Sequence, residues 1–318
     1  MQALKSPKFR IAAALGALVL VILGVAAWRI RVASARDPRP AKKEPPELPA
    51  DVRINRGLAA LEARNLDEAI TEFSGAIKRD ATVASFYVDR ALAYDLKRDY
   101  DKAIQDCDQA IKLDPKNGEA LYVRGLCRAG KKQYPEALAD FDAAMALDWK
   151  NVECYLRRGD VFLQQKQLDK AIEDYTEASR LDPERAEAFS SRGDVLAKKK
   201  QYDYAVADYA RALQLDSQDP QNYRNLAWIY ATCPKAELRN GKQAFDYALY
   251  ACKLTKWKDP QCLDTLAAAC AEIGLYADAI KWAKRALESP EMVASAERAK
   301  QVRARLKGYE TAKPYRDP

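Results

Sequence analysis

A period of 34 residues runs through most of this chain and constrains its fold more than any other feature. Small residues recur at that interval, and an alanine lies 12 residues after each of the first five. Four residues further on stands an aromatic residue or a cysteine, and a second alanine follows after three more. The spacing i, i+4, i+7 places these residues on one face of a helix. The pattern predicts stacked helix–turn–helix units, which present a surface rather than a reaction cleft.

The residues of the repeat are small or aromatic where two helices must approach closely. The small residues are Gly57, Ala91, Gly125, Gly159, Gly193 and Ala227, and the first alanines of the second helices are Ala69, Ala103, Ala137, Ala171 and Ala205. After these alanines stand Phe73, Cys107, Phe141, Tyr175 and Tyr209. Asp-Pro dipeptides separate several units, because proline begins a helix more readily than it continues one.

These residues resemble the tetratricopeptide repeat family, since spacing and residue type agree over five consecutive units. Residues 225–316 look like a terminal segment of bacterial members, marked by ATCP…RNG with five additional residues, LDTLAAA and a closing KPYR. The resemblance implies an all-α, right-handed solenoid of about seven helix–turn–helix repeats over residues 50–288. A C-terminal capping helix and tail would follow over residues 289–318. The family implies a binding role and no reaction.

The amino-terminal residues 1–36 are predicted to form a membrane anchor. The 18 residues of Ile11–Trp28 carry no charge, and a helix of that length spans about 27 Å, close to the hydrocarbon thickness of a bilayer. A signal peptide cleaved at Ala33–Ala35 is the alternative, but the long apolar run favours the anchor. We expect a single-pass location in the cell membrane, with the side of the repeats left open. Residues 37–49 contain five prolines and predict an extended linker of up to about 40 Å.

Composition excludes several classes of function. The net charge is +7, but residues 1–49 contribute +6 of it, so the repeats are nearly neutral and nucleic acid is not an expected partner. The sequence contains no histidine, which removes the common nucleophilic triads and most catalytic zinc sites. It also contains no glycine-rich phosphate-binding motif. We therefore predict no enzyme, no catalytic residue, no cofactor and no metal site.

The seven cysteines form no CxxC motif. We interpret them as small buried core residues, because Cys107 takes the aromatic position of its unit and Cys270 follows an apolar run. The alternative is a redox pair across adjacent units, such as Cys107 with Cys127.

Arginines and acids also repeat. An arginine precedes the small residue in each of the first five units, at Arg56, Arg90, Arg124, Arg158 and Arg192. The matching positions of the second helices hold Glu72, Asp106, Asp140, Asp174 and Asp208. We predict a series of ion pairs, each arginine with the acid of the preceding unit, which would specify the stacking register. An arginine row that binds an acidic ligand is the alternative.

The family resemblance also implies a candidate binding groove, lined by the first helix of each unit. Its predicted partner-binding residues are Asn55, Asp89, Tyr122, Arg157, Asp160, Ser191, Asp194, Arg224, Asn225 and Trp228. The residues of a carboxylate clamp known in some family members are not matched in the first unit. We expect an extended or helical peptide, with Tyr122 and Trp228 as aromatic anchors. The predicted function is a membrane-tethered scaffold that binds a protein partner, and the alternative is a self-assembling homo-oligomer of the membrane.

Overall fold

The computed structural model describes residues 48–147 and 149–317, and these residues contain helices and no β-strand. The predicted anchor, its alternative cleavage site and most of the linker lie outside the described residues. Within the described ranges, no helix combines the length and apolar character needed to cross a bilayer. The α-helices are α1 (Ala50–Glu62), α2 (Leu66–Arg79), α3 (Ala84–Leu96), α4 (Tyr100–Leu113), α5 (Gly118–Gly130), α6 (Tyr134–Ala146), α7 (Val152–Gln164), α8 (Leu168–Leu181), α9 (Ala186–Lys198), α10 (Tyr202–Leu215), α11 (Pro220–Thr232), α12 (Gly241–Leu254), α13 (Pro260–Glu272), α14 (Tyr276–Leu287), α15 (Pro290–Val293) and α16 (Ala296–Glu310).

The helices form two compact units that divide between Val161 and Phe162, within α7. In the first unit, α1 packs on α2, α3 on α4 and α5 on α6, and consecutive pairs also contact each other. In the second unit the corresponding pairs are α9 with α10, α11 with α12 and α13 with α14, and α16 packs on α14 and α13. The predicted all-α repeat of helix pairs is therefore confirmed for the described residues.

The C-terminal region differs in one respect from the sequence prediction of a single helix. The chain forms the one-turn helix α15 and then the longer α16, which begins after Ser295. Ser295 has a non-helical backbone, with φ −113° and ψ 85°, and so interrupts the helix. Glu297 then lies in the first turn of α16, where a negative charge is favoured by the helix dipole. The insertion of five residues lies between α11 and α12 and forms a loop with one short 3₁₀ turn, Ala236–Leu238.

Size complementarity across each helix pair explains why the small residue is sometimes glycine and sometimes alanine. A Cβ atom on Gly57 would lie 2.4 Å from the Phe73 ring, and one on Gly125 would lie 2.8 Å from the Phe141 ring. Both rings are fully buried. The pair that has Ala91 at the same position has the smaller Cys107 opposite it. The backbone of the first helix therefore approaches the second helix only as closely as the side chain between the alanines permits.

This complementarity predicts that Gly125→Ala destabilises the first unit. The added methyl group would overlap the buried Phe141 ring, and we expect a net cost of about 1–2 kcal/mol after the better helix propensity of alanine is counted. In a Phe141→Cys background the same substitution should be neutral or stabilising, because the ring is gone. Urea unfolding of the two single variants and the double variant measures the coupling. Equal effects of Gly125→Ala in both backgrounds would disprove the steric explanation.

Six of the seven turns within the described helix pairs place one residue in the left-handed region of backbone space, and the longer loop between α11 and α12 does not. These residues are Arg64, Arg98, Lys132, Lys166, Lys200 and Gly274, with φ between 59° and 81°. Such residues are the usual terminators of an α-helix. Lysines beside these turns also reach back to the preceding pair: Lys131 Nζ lies 2.5 Å from Asp101 Oδ1, and Lys97 pairs with Asp67. These exposed ion pairs add little stability, but they recur at equivalent positions of successive repeats.

The arginine series forms ion pairs, but its predicted direction is wrong. Arg90 and Arg192 each donate two hydrogen bonds, at 2.7–2.8 Å, to the aspartate 16 residues later in the same helix pair, Asp106 and Asp208 respectively. The reason is that the two helices of a pair lie side by side, which brings residue i opposite residue i+16. The remaining guanidinium nitrogen reaches the preceding pair, as in Arg124 Nη1 to Asp108 Oδ1 at 2.6 Å. In the first helix pair, α1 and α2, the corresponding ion pair joins Arg53 and Glu72.

All seven cysteines are buried free thiols, in agreement with their interpretation as core residues. Cys107 and Cys127 are not joined in the structure. Burial is the main cause that raises the thiol pKa of each of these two residues, and it raises the pKa of Cys270 to about 12. Thiols of this kind are poor nucleophiles at neutral pH.

Candidate functional site

The ten predicted groove residues differ in exposure. Asn55 on α1 is exposed, and Asp89 on α3 and Tyr122 on α5 are buried at 3% and 4% exposure. The other seven lie half-buried on α7, α9 and α11: Arg157, Asp160, Ser191, Asp194, Arg224, Asn225 and Trp228. Asp89 and Tyr122 offer almost no accessible surface to a ligand in this structure. The binding role of the set as a whole stays a prediction.

In the first unit, the structure brings two of the predicted residues together. Arg157 Nη1 donates a 2.8 Å hydrogen bond to Asp160 Oδ2 one turn later on α7. The Tyr122 ring packs between Phe141 and Trp149, with ring centroids 5.9 and 6.4 Å away. Its environment is that of a core aromatic residue, and burial raises the pKa of its phenol.

The second unit assembles three predicted residues into one hydrogen-bonded network. Asn225 Nδ2 donates to Asp194 Oδ1 at 2.8 Å, which joins α11 to α9. Arg224 donates to Asn225 Oδ1 from two nitrogens, at 3.0 and 3.2 Å. Tyr209 on α10 donates to the same Asp194 oxygen at 2.7 Å, and Arg224 donates to Gln261 Oε1 on α13 at 3.1 Å. Four helices therefore fix the positions of these five side chains, which we call the polar network.

The charges of the polar network are separated. Asp194 accepts hydrogen bonds from a phenol and an amide, and Arg224 donates to two amide oxygens. No carboxylate in the described part of the chain lies within ion-pair distance of Arg224. Burial and the nearby Asp194 raise the pKa of Tyr209, so its hydroxyl stays protonated as a donor. The arrangement holds a half-buried guanidinium in a fixed orientation, and a guanidinium pairs most strongly with a carboxylate or phosphate.

Two members of the polar network were not predicted as site residues. Tyr209 was assigned to the core by its place between alanines, and its ring is indeed buried at 2% exposure. The sequence feature that could have indicated its role is the hydroxyl group, because a buried tyrosine usually has a hydrogen-bond partner and a phenylalanine needs none. Gln261 is the second residue of α13, in the variant region where the repeat departs from its 34-residue period. Periodicity alone could not place it.

The predicted anchor Trp228 contacts the C-terminal part of the chain. Its ring lies 5.9 Å from the Tyr315 ring, and the Arg305 guanidinium lies over it at 5.1 Å. Arg305 in turn pairs with Asp264 on α13, with Nη2 2.6 Å from Oδ2. Trp228 is therefore part of an internal cluster and not an open aromatic anchor in this structure.

The tail after α16 runs along the C-terminal end of α11. The Asp317 amide donates to the Thr232 carbonyl at 2.8 Å. Arg316 donates to the Ala231 carbonyl at 3.3 Å and to Glu272 Oε2 at 2.6 Å. These contacts satisfy carbonyls that the end of a helix leaves without an intrahelical partner. The accessible part of the predicted groove in the second unit is thus the polar network, and the tail covers the part beyond it.

No group of histidine, cysteine and acidic side chains within residues 48–147 and 149–317 is arranged to hold a metal ion. The candidate site consists of hydrogen-bond donors and acceptors on helix faces.

Comparison with known proteins agrees with the geometry. Family models match most of the repeats. Two described as tetratricopeptide repeat match residues 54–118 and 88–152 and residues 186–219, and a third, described as TPR repeat, matches residues 159–200. The search of curated proteins found no match.

Solved structures show the same architecture. The APC/C hetero-tetramer Cut9–Hcn1 aligns with a TM-score of 0.65 and 14% identity over 92% of this chain, which spans about half (52%) of that one. The pilF protein of Pseudomonas aeruginosa aligns with a TM-score of 0.58 and 21% identity, over 65% of this chain and 92% of its own. YrrB, a TPR protein with an unusual peptide-binding site, aligns with a TM-score of 0.48 and 23% identity, over 58% of this chain and 92% of its own. At these identities the likeness concerns the fold. Because the family models together span half of the chain and the helices repeat in the same register, the chain belongs to the tetratricopeptide repeat family.

Proposed function

We propose that this protein is a membrane-tethered scaffold whose second unit binds an acidic segment of a protein partner. Tetratricopeptide repeat proteins are protein-interaction scaffolds as a class. The observation that carries the specific proposal is Arg224, held by Asn225 and Gln261 without a carboxylate partner among the described residues. A half-buried arginine with fixed geometry gains most from a ligand carboxylate, because both groups are already partly desolvated.

The partner would lie along the polar network as an extended or helical segment. Asp194 and Ser191 provide half-buried polar groups on α9, and Asn225 connects Asp194 to Arg224. An acidic side chain of the segment would pair with Arg224. A nearby backbone amide or basic group of the segment would donate to Asp194. The apolar contribution would come from neighbouring half-buried side chains, and not from Tyr122, which lies in the other unit and is buried.

The membrane tether rests on the sequence of Ile11–Trp28. An apolar helix of 18 residues flanked by basic residues is long enough to span with little tilt. The proline-rich linker after it would hold the repeats within about 40 Å of the bilayer surface. The side of the membrane is left open in this proposal.

One experiment in cells tests both parts. The full-length chain is crosslinked, membranes are washed with alkaline carbonate, and the proteins captured with the chain are identified. We expect the chain to remain in the carbonate-washed membranes, and Arg224→Ala to reduce capture of the partner at least about tenfold, a typical loss for an interface arginine. Arg180→Ala is the matched control, because Arg180 is exposed on α8 and pairs with Glu177 one turn before it, away from the polar network.

The outcomes are distinct. Release of the chain by carbonate would reject the anchor without affecting the binding proposal. Equal capture by Arg224→Ala and Arg180→Ala would reject the polar network as the binding site. If only the chain itself is captured, and its mass in sedimentation increases with concentration, the protein is a self-assembling homo-oligomer and not a scaffold for another protein. Circular dichroism of both variants must match the parent for the comparison to count.

A further inference from the structure

A second surface of the second unit, on α12, α14 and the turn after α12, carries two stacked tryptophans among exposed cations. The Trp257 and Trp282 rings are stacked, with centroids 5.0 Å apart and planes at 23°. Arg285 lies over both rings, at 5.9 and 5.5 Å, and Lys281 lies over Trp282 at 4.8 Å. We call this surface the tryptophan patch and define it by Trp257, Trp282, Lys256, Lys281, Lys284 and Arg285.

The backbone is strained to place Trp257 there. Earlier second helices end at an aspartate with extended backbone, such as Asp114 and Asp216. After α12, by contrast, Lys256 and Trp257 are consecutive residues with positive φ, at 53° and 61°. Neither is glycine, so each left-handed residue is sterically unfavourable. The turn is fixed by a 2.7 Å hydrogen bond from the Trp257 amide to the Cys252 carbonyl. A turn of this kind that leaves a tryptophan half-exposed is typical of a functional surface.

The cations of the patch have no internal counter-charge. Lys256, Lys281, Lys284 and Arg285 are exposed, and none of them has a carboxylate within ion-pair distance in the described ranges. Lys253 in the last turn of α12 and Lys258 in the turn after it are also exposed. Two exposed acids, Asp278 on α14 and Glu288 directly after it, reduce the charge of this region without neutralising it. By contrast, the lysines just before three earlier turns are paired, Lys97 with Asp67, Lys131 with Asp101 and Lys199 with Asp169.

The arrangement of the two rings favours an anionic membrane surface over a nucleic acid as the partner of the patch. A nucleic acid strand needs an open aromatic face on which a base can stack. Here the rings stack on each other, and Arg285 and Lys281 lie over them. Both tryptophans are half-buried and lie beside exposed lysine and arginine side chains, which is the arrangement of aromatic and basic residues at a membrane interface.

We propose that the tryptophan patch is a second membrane contact, which docks the C-terminal unit on the surface of a bilayer rich in anionic lipid. The inference rests on the membrane tether proposed above, which would keep the unit close to a bilayer. Six exposed lysine and arginine side chains near an anionic surface are enough for reversible attraction, and the two indoles add interfacial contact. Docking would orient the repeats relative to the membrane and so determine where their partner is held.

The test uses quenching of tryptophan fluorescence by brominated lipid, with the full-length chain reconstituted in bilayers. The chain has five tryptophans, so the signal of the patch is the difference between the parent and a Trp257→Phe/Trp282→Phe variant. We expect this difference to appear when phosphatidylglycerol is present, to be absent in phosphatidylcholine alone, and to disappear at high salt. Lys281→Gln/Lys284→Gln/Arg285→Gln should abolish it.

A matched control separates the patch from general positive charge. Arg298→Gln/Lys300→Gln/Arg303→Gln removes the same charge from exposed positions of α16 and should leave the quenching intact. Equal loss in both triple variants, or no patch quenching in anionic bilayers, would overturn the proposal. A change in patch emission with soluble poly-glutamate but not with anionic bilayers would assign the patch to an acidic protein instead. Quenching of Trp28 in neutral bilayers, measured in the variant that lacks Trp257 and Trp282, reports on the tether separately.

Discussion

Arg305→Met is expected to destabilise the C-terminal part of the second unit by about 3–5 kcal/mol, the largest effect of any substitution considered. Arg305 and Asp264 are both 8% exposed, and two hydrogen bonds of 2.6 and 3.3 Å join them. Burial raises the pKa of Asp264, and the Arg305 charge opposes that rise. Without the arginine, an ionised carboxylate would remain buried with no cation beside it. The contacts of Arg305 with Trp228 and Tyr315 would also be lost.

Urea unfolding and hydrogen exchange of α16 and the tail measure this effect. Because the chain has two units, local exchange is the safer readout where unfolding is not two-state. The double variant Arg305→Met/Asp264→Leu should recover most of the loss, since replacing both partners of a buried pair removes the unpaired charge. The loss in Arg305→Met should also shrink as pH falls, because burial raises the pKa of Asp264 and protonation removes the uncompensated charge. A double variant as unstable as the single one would show that packing, and not charge, explains the loss.

Asp95→Asn is expected to stabilise the first unit at neutral pH. Asp95 is 9% exposed near the end of α3, and its carboxylate accepts a 3.4 Å hydrogen bond from the Cys127 thiol. Burial raises the pKa of Asp95 to about 6, above the ordinary value of 3.8, while the thiol hydrogen bond lowers it. No cation within residues 48–147 and 149–317 offsets the burial of this carboxylate. The carboxylate near a helix C-terminus is also disfavoured by the helix dipole.

The direction of the pH dependence follows from the raised pKa. An acid that holds its proton more tightly when folded contributes stability below about pH 4 and loses that contribution as pH rises through about 6. At pH 7.5 the penalty is up to about 3 kcal/mol, which corresponds to a shift of about two pKa units. Asp95→Asn should therefore raise the urea midpoint at pH 7.5 and have little effect at pH 4.

Asp101→Asn is the matched control for this prediction. Asp101 lies on the next helix, is 76% exposed, and pairs with Lys131 at the surface. Its substitution should change stability by less than about 0.5 kcal/mol at either pH. Destabilisation by Asp95→Asn at pH 7.5 would mean that the buried charge has a stabilising partner and would contradict the expected sign.

The fold was predictable from sequence because its determinants are local and recur. The alanines and aromatic residues at i, i+4 and i+7 define the buried face of each second helix, and Ala69, Phe73 and Ala76 are all fully buried in the structure. Even the alternation of glycine and alanine follows from the size of the residue opposite. Repetition allowed each position to be compared with five others in the same chain.

The candidate site was less predictable, because it depends on which residues meet across several helices. Periodicity placed Asp194, Arg224 and Asn225 on the first helices, and the structure joins them into one network. It did not indicate that Tyr209 and Gln261 complete that network. The family resemblance also assigned Tyr122 to the groove, although the ring is buried and packs against Phe141 and Trp149.

The sequence by itself determined the helical repeat, the positions of its turns, the buried cysteines and the absence of histidine chemistry. Each of these depends on residue type and spacing within one unit. Only the tertiary structure decided the direction of the arginine pairs, the partner of Arg305 and the place of the tail on α11. Asp264 and Arg305 are 41 residues apart, and Tyr202 and Asp317 are 115 apart. Contacts of that separation occur once in the chain, so no repeated pattern reveals them, and they form only when the packed helices bring both residues to the same point.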